Sequence, residues 1–263
     1  MKIFITGASS GIGNALAHEY AKRFADTGAI IGLAARRSEY LQQLASELQN
    51  EYKITCAIYP LDVRDATALE TAAADFMQQH GTPDIVIANA GVSRGTLTAD
   101  KTDFKAIQAI FDINVMGLVY TFQPFIAAMK LAGQGQLVGV ASVAGIRGIP
   151  GSGAYSASKA AVISYCESLR TEMQHFNINV STIAPGYIRT PMTELNPYKM
   201  PFLMDADVFA HKFANAVEAK VRFKIIPWQM GCVARLMRFI PPVLWDWAMK
   251  NAPRKAHMNW DWL

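Results

Sequence analysis

Residues 2–13 read Lys-Ile-Phe-Ile-Thr-Gly-Ala-Ser-Ser-Gly-Ile-Gly, and the rest of the chain can be placed from them. Residues 2–6 are a short run of apolar, aromatic and β-branched side chains, which predicts a strand. Glycines follow at positions 7, 11 and 13, and a helical pattern begins at once. A glycine-rich turn between a strand and a helix lets backbone N–H groups approach a pyrophosphate, whose charge the helix N-terminus favours. The spacing is GxxxGxG rather than GxGxxG, so taken alone the glycines are also compatible with a plain tight turn.

That unit is the first of a series. Strands are predicted at 2–6, 30–35, 54–59, 85–89, 136–141 and 178–184, with a last short one at 222–227. The first six runs are near-continuously apolar, as strands buried on both faces of a parallel sheet must be. Helix-length segments lie between them at 12–27, 39–51, 66–80, 104–131 and 155–175. The alternation implies an α/β fold of βαβ units: a doubly wound parallel sheet of about seven strands with helices on both faces. No linker or repeat interrupts it, so one domain is expected over 1–227, including a substrate loop at 187–210. Residues 228–263 read as a basic, aromatic helical extension packed on that domain.

Composition excludes several classes. At 263 residues, 51% hydrophobic and 17% charged, the chain is not disordered. Cys56, Cys166 and Cys232 are odd in number and widely spaced, which argues against a disulfide scaffold or a zinc site. No metal is expected, and a reducing, cytoplasmic location is. The net charge of +4 is unevenly held: residues 1–210 carry 16 Lys and Arg against 18 Asp and Glu, residues 211–263 carry 9 against 3. All five tryptophans (Trp228, Trp245, Trp247, Trp260 and Trp262) lie in the last 36 residues. A near-neutral body with a basic, aromatic tail is not the pattern of a nucleic-acid binder. The glycine turn arrives too early for a signal peptide, and no uninterrupted run of about 18 apolar residues occurs, so no spanning helix is expected.

The end of the second strand bears on cofactor type. A dinucleotide fold that prefers NAD places a carboxylate there for the ribose 2′-hydroxyl. This chain has Ala34-Ala35-Arg36-Arg37 instead. An arginine pairs with a 2′-phosphate, so Arg36 favours NADP(H), with NAD(H) the alternative. The other reading is that both arginines are solvated residues opening a helix.

At this point the residues carry a family likeness. Residues 6–13, Leu61-Asp62-Val63, Asn89-Ala90-Gly91, Asn114, Ser142, Tyr155-Ser-Ala-Ser-Lys159 and Pro185-Gly186-Tyr-Ile188-Arg-Thr190 occur in the order and spacing of a short-chain dehydrogenase/reductase of about 250 residues. The chain resembles that family over residues 1–195. The resemblance implies a Rossmann-like fold whose cofactor meets Gly7, Ser9, Ser10, Gly11, Ile12 and Gly13 at the turn. It implies that Asp62 and Val63 contact the adenine, and that Asn89, Ala90 and Gly91 support the cofactor wall. Pro185, Gly186, Ile188 and Thr190 would line the nicotinamide side. It further implies a Lys159 contact to the nicotinamide ribose, a proton-relaying water chain held by Asn114, and a dimer or tetramer.

The chemistry also follows from the residues. Tyr155 and Lys159 are four apart and share a helix face. An ammonium beside a phenol should lower its pKa from about 10. Tyr155 then exchanges a proton with a carbonyl or alcohol oxygen, which the Ser142 hydroxyl also reaches, while a nicotinamide carries hydride. The bland alternatives are a chance Tyr-x-x-x-Lys, a strand-ending Ser142 and a satisfied polar Asn114. A Ser-His-Asp hydrolase is disfavoured, because His18, His80, His175, His211 and His257 show no placement beside Ser142.

The expected activity is therefore NADP(H)-dependent interconversion of a carbonyl and a primary or secondary alcohol on a small lipophilic substrate. The different-class alternative is a dinucleotide-binding redox sensor or scaffold. Met192, Met200, Phe202 and Met204 suggest an apolar pocket or, equally, core filler. Arg147 and Arg189 are expected to be solvated rather than to bind a substrate anion. In the extension, Val233, Leu236, Met237 and Ile240 would share one face of a helix over 231–240. Pro241-Pro242 would end it, and 243–249 would start another. The extension reads as a cap or subunit interface, as a peripheral contact with an anionic membrane, or as a floppy tail.

Overall fold

The computed structural model describes residues 1–194, Asn196 and residues 198–252. Its order is β1 (Lys2–Thr6), α1 (Gly11–Arg23), β2 (Ile30–Ala35), α2 (Ser38–Tyr52), β3 (Thr55–Pro60), α3 (Ala66–His80) and β4 (Ile85–Ala88). Then come α4 (Phe104–Phe111), a π-helical turn (Asp112–Met116), α5 (Gly117–Ala132), β5 (Gly135–Val140), α6 (Gly153–Met173) and β6 (Ile178–Pro185). The chain continues through α7 (Pro191–Glu194), α8 (Ala206–Glu218), β7 (Phe223–Ile226), α9 (Trp228–Phe239) and α10 (Pro242–Met249). The strands form one seven-stranded sheet in the order β3-β2-β1-β4-β5-β6-β7, and every pairing is parallel.

Alternation along each strand builds two cores. Ile3 and Ile5 of β1, Ile31 and Leu33 of β2, and Ile85 and Ile87 of β4 point to the layer of α1, α2 and α8. Phe4, Ala34, Val86 and Leu137 point to the opposite layer of α3, α5 and α6. A period of two on a strand buried on both faces reads as a continuous apolar run, which is why sequence placed the strands well. At the centre of the second core Phe4 meets Tyr59, Phe76 and Phe125 at ring-centroid distances of 5.5, 5.7 and 5.0 Å. Gly32 leaves room for that cluster: a β-carbon there would lie 2.6 Å from the Phe4 ring.

The helix expected over 104–131 is not continuous. The π turn inserts one extra residue per turn around Asn114, and such turns mark sites where a side chain must be re-aimed. The run 101–132 also amends the expectation about spanning segments, since it is long and apolar enough to cross a membrane by length and composition. Its inner face, however, buries Leu118, Phe122, Phe125 and Met129 in the sheet core. That buried face accounts for part of its hydropathy, since 33% of its most apolar window is buried.

In the extension, α9 packs on the domain through a narrow stripe. Met230 and Ala234 are its buried residues, while Val233, Leu236 and Phe239 are exposed. The helix starts at Trp228, three residues earlier than expected. The extension is helical over Trp228–Phe239 and Pro242–Met249; Trp260, Trp262 and His257 lie outside the described residues.

Truncating Phe4 to Ala removes the centre of the aromatic cluster. It should cost about 3–5 kcal/mol, read as a lowered midpoint in urea or thermal unfolding.

Candidate active site

Strand order reverses between β1 and β4, and a crevice opens beyond their C-terminal ends. The splice is stitched by two side chains. The Thr6 hydroxyl accepts from the backbone N–H groups of Asn89 (3.2 Å) and Ala90 (3.3 Å). The Asn89 amide donates to the carbonyls of Thr6 (3.0 Å) and Gly7 (3.3 Å). Gly7 has φ +70°, and a β-carbon on it would lie 2.8 Å from Ala90 Cα, so only glycine fits. Gly13 sits behind the turn, where a β-carbon would be 2.2 Å from the Gly7 carbonyl oxygen. Helix α1 can therefore start close under the turn, and no side chain caps its N-terminus. Open N–H groups there are what an anionic pyrophosphate needs.

One cleft gathers nearly all the residues singled out from sequence. Of those named above as candidate cofactor or catalytic residues, only Gly13 and Asn114 do not line it. Among residues missed, Arg37 is the most informative. Its guanidinium donates to the hydroxyls of Ser9 (3.1 Å) and Ser10 (2.9 Å) and lies 4.3 Å from the Tyr40 ring centroid. The side chain is thus drawn back over the turn, beside Arg36. Sequence showed the pair of arginines but not which would reach the serines. Asp62 lies across this end of the cleft. Burial would raise its carboxyl, but the Arg64 guanidinium and backbone N–H, with a smaller contribution from Arg36, hold it below the usual carboxylate range. The Arg64 fork closes at 2.8 Å.

At the other end, Tyr155 opens the first turns of α6, and Lys159 follows on the same face. Lys159 is only 4% exposed, and its ammonium donates to the Val140 carbonyl at 2.8 Å. Burial pushes its pKa down to about 8. The expected depression of the Tyr155 phenol is not found. Burial raises it, and the opposing pull comes from the Ser142 hydroxyl. The reason is geometric: Lys159 Nζ is 6.0 Å from the Tyr155 ring centroid and is spent on Val140. Ser142 also accepts from the Ala144 N–H at 3.1 Å, so it both starts a short 3₁₀ turn and serves the phenol.

Asn114 acts from behind the cleft. Its carbonyl accepts from Val92 N–H (2.8 Å), and its amide donates to the Val92 carbonyl (3.0 Å) and to the Ser158 hydroxyl (3.0 Å). Ser158 in turn donates to the Tyr155 carbonyl at 2.8 Å. Asn114 therefore ties the chain after β4 to the helix that carries Tyr155 and Lys159. Gly91 completes the contact, since a β-carbon there would come within 3.2 Å of Asn114 Oδ1 and 3.3 Å of Lys159 Nζ. Ser158 was missed because its partner is 44 positions away.

The substrate side corrects one expectation, that for Arg147. Of the four apolar residues named there, only Met192 lines the cleft; Met204 packs against the core near α8. Arg147 is not solvated: it donates to the carbonyls of Met237 and Ile240 (the latter 2.6 Å) and lies 4.5 Å from the Trp245 ring centroid. Arg189 pairs with Asp205 at 2.7 Å at an exposed position. Two pentapeptides, at 7–11 and 91–95, have the G-x-S-x-G spacing of a hydrolase elbow. Ser9 of the first serves Arg37, and the described histidines lie elsewhere: His18 beside Glu47, His211 beside Glu19, His80 against Phe76 and His175 in the turn after α6.

Comparison with known proteins agrees with this geometry. The family model for short chain dehydrogenases matches residues 1–199. An uncharacterized oxidoreductase of Myxococcus xanthus (strain DK1622) is 35% identical over 250 residues, covering 94% of this chain and 95% of its own. Two solved structures are each 25% identical. One is a short-chain dehydrogenase from Sphingobium yanoikuyae in complex with NADPH (TM-score 0.77; 92% of this chain, 96% of that one). The other is an alcohol dehydrogenase from the archaeon Thermococcus sibiricus complexed with 5-hydroxy-NADP (TM-score 0.76; 86% and 94%). The chain belongs to the short-chain dehydrogenase family of oxidoreductases.

Lys159 has a consequence for stability. Its folded pKa of about 8 lies below the value of 10.5 for a free lysine, so between those values the unfolded chain binds the extra proton. This group's contribution therefore makes the protein more stable as pH rises through that window. Unfolding of the wild type and of Lys159→Met should diverge accordingly: the stability difference between them shifts in favour of the wild type from pH 8 to pH 10. A difference independent of pH would contradict the assigned burial cost.

Proposed function

We propose that the protein is an NADP(H)-dependent carbonyl reductase, or the reverse alcohol dehydrogenase, acting on a small lipophilic substrate. The observation that carries this reading is one cleft with a phenol, a hydroxyl and a buried ammonium at one end and two arginines at the other. The glycine turn and the uncapped α1 N-terminus fit a pyrophosphate, and Arg36 and Arg37 fit a 2′-phosphate. The two NADP-bound relatives support that choice of cofactor. When bound, the nicotinamide supplies or receives the hydride.

The protein's own residues do the rest. Tyr155 donates its phenolic proton to the carbonyl oxygen as hydride arrives at carbon, giving the alcohol; in reverse it takes that proton back. Burial keeps the phenol protonated, the form that acts as the acid in the reducing direction. Ser142 donates to the same oxygen and fixes its position. Neither nearby guanidinium is set to bind a substrate anion: Arg147 holds helix carbonyls and Arg189 holds Asp205. With Met192, Ile188 and Val92 on the walls, a neutral, apolar substrate fits best. The intact Tyr155 and Lys159 weigh against a sensor without turnover. A homo-oligomer belongs to the same reading, supported by exposed Phe104, Phe111 and Met116 on α4 and the π turn. So does a reducing, cytoplasmic location, supported by three free cysteines.

Tyr155→Phe should lower turnover of ketones and aldehydes by roughly 10²–10⁴-fold while leaving NADPH affinity unchanged by fluorescence titration. Replacing Arg36 and Arg37 together by Ala should raise the NADPH Kd by roughly one to two orders of magnitude and leave NADH almost unaffected. Equal losses for both cofactors would remove the 2′-phosphate argument.

A further inference from the structure

The extension carries an apolar surface that is exposed among the described residues. Helix α9 is anchored at the cleft rim. Its Met230 packs behind Gly186, where a β-carbon would come within 2.8 Å of the Met230 side chain. Its C-terminal carbonyls are held by Arg147, five residues beyond Ser142, with Trp245 of α10 stacked on the same guanidinium. The outer stripes run the other way. Leu236 and Phe239 on α9, and Val243, Leu244 and Trp247 on α10, follow one another at helical spacing and face solvent. Phe239 is 83% exposed, Val243 78% and Trp247 79%, and Trp228 at the start of α9 is 68% exposed. Scattered single apolar residues are ordinary on a surface; a series this long on consecutive helices marks a contact surface.

The charge around it selects the occupant. Between Lys220 and Lys250 the chain holds six cations (Lys220, Arg222, Lys224, Arg235, Arg238 and Lys250) against one carboxylate, Asp246. Arg235 and Arg238 are exposed and interleave with the apolar positions of α9. A protein partner core excludes charge, whereas apolar and aromatic side chains interleaved with cations suit the headgroup level of an anionic bilayer.

We propose that α9 and α10 form an interfacial platform by which the protein docks on an anionic membrane surface, with the mouth of the cleft beside the lipid. The platform is fixed to the loop after Ser142 and to Gly186, so docking sets the substrate entrance at the bilayer boundary. This placement rests on the reading of the substrate as lipophilic; the docking itself does not.

The test is flotation of the full chain, without cofactor or substrate, on phosphatidylcholine vesicles with and without phosphatidylglycerol. Binding should appear with the anionic vesicles and fall at least about tenfold on neutral vesicles or at high salt. Leu236→Glu, Phe239→Glu and Trp247→Glu combined should lower binding at least about tenfold, with the thermal transition kept because all three side chains are exposed. The single variant Trp247→Glu gives the same readout should the triple variant fail to fold. Absence of flotation with anionic vesicles would overturn the proposal, as would a platform variant that floats like the wild type. So would a wild type that ignores vesicles but loses oligomeric mass by light scattering when the platform is charged, since the occupant would then be a second copy. Loss of docking with intact turnover, or the reverse, separates this proposal from the redox reading.

Discussion

The structure depends on how β1 and β4 are joined at the place where the sheet changes direction. Parallel strands diverge there, and their last carbonyl and N–H groups would face a crevice without ladder partners. The Thr6 hydroxyl and the Asn89 amide take up those groups, four hydrogen bonds across a sequence gap of more than 80 residues. That stitch fixes the height of the Gly7 turn, the turn fixes where α1 begins, and α1 aims its uncapped N-terminus along the cleft. Without a bulk-free Gly7 and Gly13 the three parts could not approach closely enough.

A second layer of constraint sits under the chemistry. The π turn turns Asn114 inward, so that one amide bonds both backbone groups of Val92 and the Ser158 hydroxyl. The segment leaving β4 and the helix bearing Tyr155 and Lys159 thereby become one rigid unit. Lys159 is consumed by the Val140 carbonyl at the end of β5, which draws a third strand end into the same unit. Rigidity of this kind is useful where reacting atoms must be held within a fraction of an ångström. It also explains the electrostatics: the ammonium is held on the Val140 carbonyl and does not depress the phenol. Ser142 is the group that already touches it.

The extension shows the same economy of contact at the other wall. One arginine, Arg147, ends α9 and stacks under α10, and the outer stripes of both helices are exposed among the described residues. The helix-forming pattern of the sequence is satisfied by two buried residues, Met230 and Ala234, because the helix lies on the edge of the domain rather than over it.

Sequence by itself determined the alternation of strands and helices and the strand positions to within a residue or so, while the family likeness supplied most of the residues that line the cleft. The physical reason is local: period-two apolar runs, glycines at a strand–helix junction, and a tyrosine and lysine one helical turn apart are all short-range signals. The break in the 104–131 helix, the Ser158 bond, the Arg147 anchor and the direction of the Tyr155 shift were decided only by tertiary structure. Each depends on a partner tens of residues away, or on burial that no single segment can reveal. The face that α9 buries belongs with them, since an amphipathic pattern gives the stripes available but not which one the fold will cover.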